Sequence, residues 1–242
     1  MFFSRSNAHF HLAAVLTFVA WLLLLLVVLS TPITHSIYLA QVDAHVRVGG
    51  IITAATVDTD LRFGVYGYCS SGSHTTQLNG VFSQDRPAQC SQRKLGYSFD
   101  SKVLDLLQID GVTDDVSTTI TFGLATHVVA AVLSFNTLLA VLATAHTQHL
   151  ATWWYTTVSA GLATLFGLIA FIFDAVFVRE VRHALRRVNN LVTVSSGNAV
   201  WMTLVAWLLL LIITALATTG LVRARRSRLY AEKPYPHMRQ AI

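Results

Sequence analysis

Residues 12–29 read LAAVLTFVAWLLLLLVVL, a run without a single charged side chain. A bilayer's hydrocarbon core takes about 20 such residues to cross as a helix, so this stretch is long enough to be a membrane span. Three further runs of comparable length and apolarity follow, Thr119–Ala145, Tyr155–Val178 and Ala199–Val222. They set the expected fold class: a mainly α membrane protein, a four-transmembrane-helix bundle. The whole chain agrees, with 54% hydrophobic residues, 12% charged residues and a mean hydropathy of +0.56. That balance is closer to a polytopic membrane protein than to a soluble domain. The net charge of +5 does not point to nucleic acid, because the basic residues gather in one tail and not along an aromatic-studded face.

Arg5 precedes the first run and small Ser30 and Thr31 follow it, as in a signal peptide. The run exceeds the ~7–15 apolar residues of such a peptide and is read as an uncleaved anchor. Four spans put both termini on one side. Arg5, Arg223, Arg225, Arg226, Arg228, Lys233 and Arg239 favour the cytoplasm for it, while Arg179, Arg182, Arg186 and Arg187 in the opposite short loop argue against. The expected organisation is a cytoplasmic N-terminus (1–11), a first span (12–29), an extracellular β-rich loop (30–118) and a second span (119–145). A cytoplasmic loop (146–154), a third span (155–178), an extracellular amphipathic segment (179–198), a fourth span (199–222) and a basic cytoplasmic tail (223–242) complete it. Trp153, Trp154 and Tyr155 form an aromatic belt at the cytoplasmic face. The tail sequence RARRSR, 223–228, reads either as a stop-transfer anchor or as an attractor of anionic lipid, at roughly 1 kcal/mol per cation.

The loop from Pro32 to Thr118 changes character, with nine aspartates against six lysines and arginines and with alternating segments such as SIYLAQVDAHV and LRFGVYGYC. Alternation of Val, Ile, Tyr and Phe, broken by Gly49, Gly50 and the SSGS turn, predicts a small β-sheet. So small a unit buries little core and is expected to rely on a covalent staple. Cys69 and Cys90 are the only cysteines and both lie there, so a disulfide between them is predicted, stabilising by roughly 3 kcal/mol. Two cysteines without suitably spaced histidines do not complete a tetrahedral metal shell. The aromatics of FGVYGYC, Phe63–Cys69, are read as the packing face of the stapled sheet, with Gly64 and Gly67 allowing bends or close backbone approach. A sharper alternative makes Tyr66 and Tyr68 a recognition patch for a lipid or a protein.

Four spans, a long first outer loop with an aromatic-Gly-aromatic-Cys motif, a second cysteine and then LGY resemble the fungal PalI family and its relatives in eisosome-type cortical membrane domains. The resemblance extends to FIFDAVFVREVRHALRR at the end of span three and GNAVWMTLVAW at the start of span four, and covers about residues 10–228. The wider group resembles claudins, whose Gly-Leu-Trp pattern is met here only as Gly64, Val65 and Tyr66. The resemblance implies a plasma-membrane protein that is an accessory of ambient alkaline-pH sensing, partnered by a multispanning receptor. Equally it implies a structural organiser of cortical, eisosome-type microdomains. Histidines expected outside, His35, His45, His74 and His183, could follow ambient pH, though exposed histidines are usually incidental.

Within the bilayer, Ser159, Ala163 and Gly167 recur every four residues of span three and would let a neighbouring helix approach closely. Asp174 follows Ser159 by fifteen residues, on nearly the same helix face, and is expected to point into the bundle near its outer boundary. His127 lies about two turns in from the same boundary, so a His127–Asp174 pair is a candidate pH-dependent packing element, with plain interhelical hydrogen bonding as the alternative. Beyond span three, Val181, Ala184, Leu185 and Val188 fall at helical intervals with arginines on the other side. This predicts an amphipathic continuation packed on the sheet. Arg182, Arg186 and Arg187 are a candidate surface for lipid headgroups or an acidic partner. No phosphate-cradling loop, zinc-protease helix, nucleophile elbow or cofactor fingerprint is present, so neither an enzyme nor a cofactor is expected. The expected partners are membrane lipids and a membrane protein, with a homo-oligomer left open.

Overall fold

The computed structural model describes residues 3–31, 33–34, 36–48, 55–77, 83–86, 89–91, 123–188 and 192–231. His35, the LGY segment 95–97, residues 119–122 of the expected second span, Lys233 and Arg239 lie outside the described residues, as do the side chains of His45, His74, Arg186 and Arg187. Among the described residues are four helices long and apolar enough to cross a membrane: α1 (Phe3–Val28), α2 (Thr126–Thr147), α3 (Leu150–Val188) and α4 (Asn198–Ala231). Helices suit these sequences because hydrocarbon offers no partners to backbone N–H and C=O groups, and a helix satisfies them internally. The hydroxyls of Thr137, Thr144, Thr203 and Thr214 donate back to carbonyls four residues earlier, so they too are satisfied.

Each helix packs on its two sequence neighbours and α1 closes the ring against α4. The centre of the bundle is small: Ala20, Ala130, Ala131, Ala160, Ala163 and Ala206 surround Leu24, Leu210 and Ile213. Large apolar side chains such as Val132, Leu139, Leu165, Ile172 and Trp201 face outward. Alanine inside and leucine outside is the distribution for helices held by close van der Waals approach in lipid, where burying leucine confers no hydrophobic advantage. Gln148, left-handed at φ 49°, ends α2 and returns its N–H to the Thr144 carbonyl, so α3 starts almost at once. The 39 residues of α3 against the 22 of α2 make it about 25 Å longer.

The excess carries α3 beneath an antiparallel sheet of β1 (Ala40–Val48), β2 (Ala55–Phe63), β3 (Tyr68–Gln77), β4 (Ser83–Arg86), β5 (Gln89–Cys90) and β6 (Val192–Ser196). The order is β4-β3-β2-β1-β6, with β5 also pairing β3. Register places Val194, Val42, Leu61 and Ser70 in one row and Ser196, Ala40, Phe63 and Tyr68 in the next. Val42, Leu61, Ala40 and Phe63 are buried against Val27, Leu124, Phe177, Val178, Val181 and Ala199 from the helix ends. Full burial of a side chain such as Phe63 stabilises by about 1.5–3 kcal/mol. Cys69 and Cys90 face each other in register across β3 and β5 and are joined by a disulfide.

The fold class is the one expected, a four-helix membrane bundle carrying a small disulfide-stapled sheet. Two local features differ from the sequence reading. The segment 179–198, expected as amphipathic throughout, continues α3 only to Val188 and then forms β6, which joins the sheet from the far end of the chain. The third helix starts at Leu150, so Trp153, Trp154 and Tyr155 lie within its first turns.

Candidate functional site

Three buried polar side chains from three helices meet beneath the sheet. His127 lies in the first turn of α2, Asp174 on α3 one turn before the core residue Phe177, and Thr203 in the second turn of α4. His127 Nε2 is 3.2 Å from Asp174 Oδ2, and both side chains are 0% exposed. Thr203 Oγ1 lies 3.4 Å from the same nitrogen, and His127 Nδ1 lies 3.0 Å from the Leu124 carbonyl.

This geometry constrains the ring tautomer. A carbonyl only accepts, so Nδ1 carries a hydrogen toward Leu124. Thr203 donates its own hydrogen to the Ala199 carbonyl at 3.1 Å and therefore turns a lone pair toward Nε2. Nε2 thus faces a hydroxyl oxygen and a carboxyl oxygen together. A proton shared between His127 and Asp174 makes the pair neutral as a whole, an imidazolium against a carboxylate or an imidazole against a carboxylic acid. That is the arrangement a low-dielectric site tolerates, since an uncompensated buried charge is costly. Asp174 Oδ1 is buried without a hydrogen-bond partner, so the carboxyl depends on His127 through its other oxygen.

The triad hangs from rigid supports. Asn198, the first residue of α4, accepts from the Tyr38 N–H at 3.1 Å and donates to the Ser36 carbonyl at 2.9 Å. This clamps the chain leaving α1 to the helix that bears Thr203. A Cβ on the preceding Gly197 would strike the Tyr38 carbonyl, and one on Gly64 would strike the Thr31 carbonyl, so both positions require glycine for close backbone approach. The aromatic run 63–69 turns at Gly64, whose N–H donates to the Gly67 carbonyl at 2.8 Å.

Of the side chains singled out from sequence, Phe63 is buried edge-on against Phe177, with ring centroids 6.1 Å apart, while Tyr66 and Tyr68 are partly buried beside the same core. Burial raises the Tyr66 phenol above the usual tyrosine range. The stripe Ser159, Ala163, Gly167 is buried but divided between neighbours. Ser159 bonds Thr137 of α2 at 2.7 Å, Ala163 lies in the bundle centre, and Gly167 faces Trp207 and Leu210 of α4. Arg182 is exposed and donates to the Val194 carbonyl of β6 at 3.4 Å.

Sequence reading missed Thr203 and a ladder of polar contacts between α2 and α3: Thr144 with Thr156 at 2.8 Å, Asn136 with Ser159 at 3.3 Å and Tyr155 with Asn136 at 2.9 Å. A signal existed for the ladder, because Thr137 and Thr144 are seven residues apart and so lie on one helix face.

Fold and site together define a multi-pass membrane protein of the tetraspan kind, with its sheet and its helix ends locked by buried polar contacts. A sequence model of the SUR7/PalI family matches residues 9–213, and the chain belongs to the SUR7/PalI family. A search of curated proteins returns no match.

Proposed function

We propose that this protein is a non-enzymatic plasma-membrane accessory of ambient alkaline-pH sensing, its termini cytoplasmic and its sheet outside, working beside a multispanning receptor. The observation that supports the reading is the buried His127–Asp174 contact held between three helices under the sheet. While the shared proton is present, the pair attracts. When it leaves, a carboxylate faces an imidazole lone pair with no solvent to screen them, and the contact joining α2 to α3 turns repulsive. Loss of that proton is a change in the sense an alkaline sensor requires. Loosening occurs where helix ends meet the sheet core, so it changes the surface offered to a partner.

The test is processing of the host's alkaline-response transcription factor after a shift to high pH. Strains would carry a deletion of this gene, the restored wild-type gene, or His127→Asn. Loss of processing on deletion, rescue by wild type and no rescue by His127→Asn is the expected pattern. Normal processing in the deletion strain would exclude the signalling role and leave the family's other reading, an organiser of cortical microdomains, to be tested by stable immobile patches at the cell surface.

A further inference from the structure

The outward face of α3 changes chemistry once along its length. Leu165, Ile172 and Ala175 are exposed in succession, and the same strip continues into Arg179, Arg182 and His183, also exposed. Intervals of seven, three, four and three residues from Leu165 to Arg182 keep these positions on one side of the helix. A groove of about 280 Å3 opens where apolar gives way to basic, lined by Ala175, Val178, Arg179, Arg182 and His183. We infer that this groove seats a membrane lipid with a net-anionic phosphodiester headgroup, its phosphate held by Arg179 and Arg182 and an acyl chain lying along Ala175, Ile172 and Leu165.

The order of the strip matches the long axis of a lipid, hydrocarbon first and phosphate last. Guanidinium forks pair with phosphate oxygens in bidentate fashion, and two on successive turns of one helix can share a single phosphate. Arg182 spends one N–H on the Val194 carbonyl, which fixes its stem, and keeps its other donors. Among the described residues, Arg179 and His183 have neither ion-pair nor hydrogen-bond partners, so no described carboxylate compensates the Arg179 charge. Among the described residues lining it there is no carboxylate: Asp174 and Glu180, the nearest acidic residues on the helix, are absent. The described lining offers no acidic group to the ammonium of a choline or ethanolamine headgroup, which favours lipids whose net charge is negative. The site stands apart from the His127–Asp174 pair, which lies on the buried side of α3, and does not rest on the pH reading.

The experiment uses the full chain in detergent micelles, with bound lipid counted by native mass spectrometry. Phosphatidylglycerol, phosphatidylcholine and diacylglycerol of identical acyl chains are added in turn, and inorganic phosphate is added as a competitor. Phosphatidylglycerol is expected to be retained over both other lipids. Arg179→Ala/Arg182→Ala should weaken that retention by about thirtyfold, the loss of two surface cations. His149→Ala, exposed in the turn between α2 and α3 at the other end of the bundle, should leave it unchanged. Ala175→Trp, which fills the groove and spares both arginines, should weaken it as well. Equal retention of phosphatidylcholine or diacylglycerol would overturn the inference. So would displacement by millimolar phosphate, which would mark a free-anion site, or unchanged binding in the double variant that still elutes as folded, oxidised protein.

Discussion

Replacing His127 by Leu should destabilise the protein far more than replacing Asp174 by Leu, and removing both should restore much of the loss. The asymmetry follows from which groups are left unpaired. Without His127, Asp174 is a fully buried carboxyl with neither oxygen partnered, because Oδ1 has no partner to begin with and Oδ2 has only the imidazole. Breaking a buried pair in this way costs about 3–5 kcal/mol. Without Asp174, the imidazole keeps the bond to the Leu124 carbonyl, so the loss is that of one buried hydrogen bond, about 1–3 kcal/mol. With both replaced, no polar group is stranded and two leucines fill the space, which is frequently near neutral. The double variant should therefore be more stable than His127→Leu alone, with a coupling energy of at least about 2 kcal/mol. Reversible SDS unfolding of the full chain, followed by circular dichroism, measures all four corners of the cycle. Additive losses, or a His127→Leu protein as stable as wild type, would refute the paired-proton account.

Three further outcomes are expected. Gly64→Ala places a methyl against the Thr31 carbonyl, a backbone atom that cannot swing aside, and should cost on the order of 1–3 kcal/mol in the same unfolding assay. Cys69→Ser and Cys90→Ser should each lower stability by roughly 3 kcal/mol, and their double variant should be no worse than either, since one bond is lost in every case. Asn198→Ala removes both hydrogen bonds to the segment after α1 and should cost about 1–3 kcal/mol, whereas Asn198→Asp, which keeps the acceptor for the Tyr38 N–H, should cost less.

The spans were legible because each is an apolar run about as long as a bilayer is thick, a signal that needs no knowledge of neighbours. The approach of Asp174 to His127 was legible for a related reason, since helical periodicity fixes the face of each and their distances from the outer boundary are similar. Thr203 was not, because a threonine in a membrane helix commonly satisfies itself on its own backbone, as this one also does, and nothing local distinguishes the one beside an imidazole. The strand Val192–Ser196 was hidden by its brevity and by the distance in sequence to its partner β1. The stripe Ser159, Ala163, Gly167 could be read as a close-packing surface, but its division between α2 and α4 arises from the drift of four-residue steps around a helix with 3.6 residues per turn.

The pairing of β1 with β6 also orders events at the ribosome. One edge of β1 is complete as soon as β2 emerges, but the other stays bare until residues 192–196 have been made, after two further hydrophobic helices. Throughout that interval a ready-made edge is open to any strand, including those of a sister chain. Finishing the sheet thus requires that the third helix has been delivered in the right orientation.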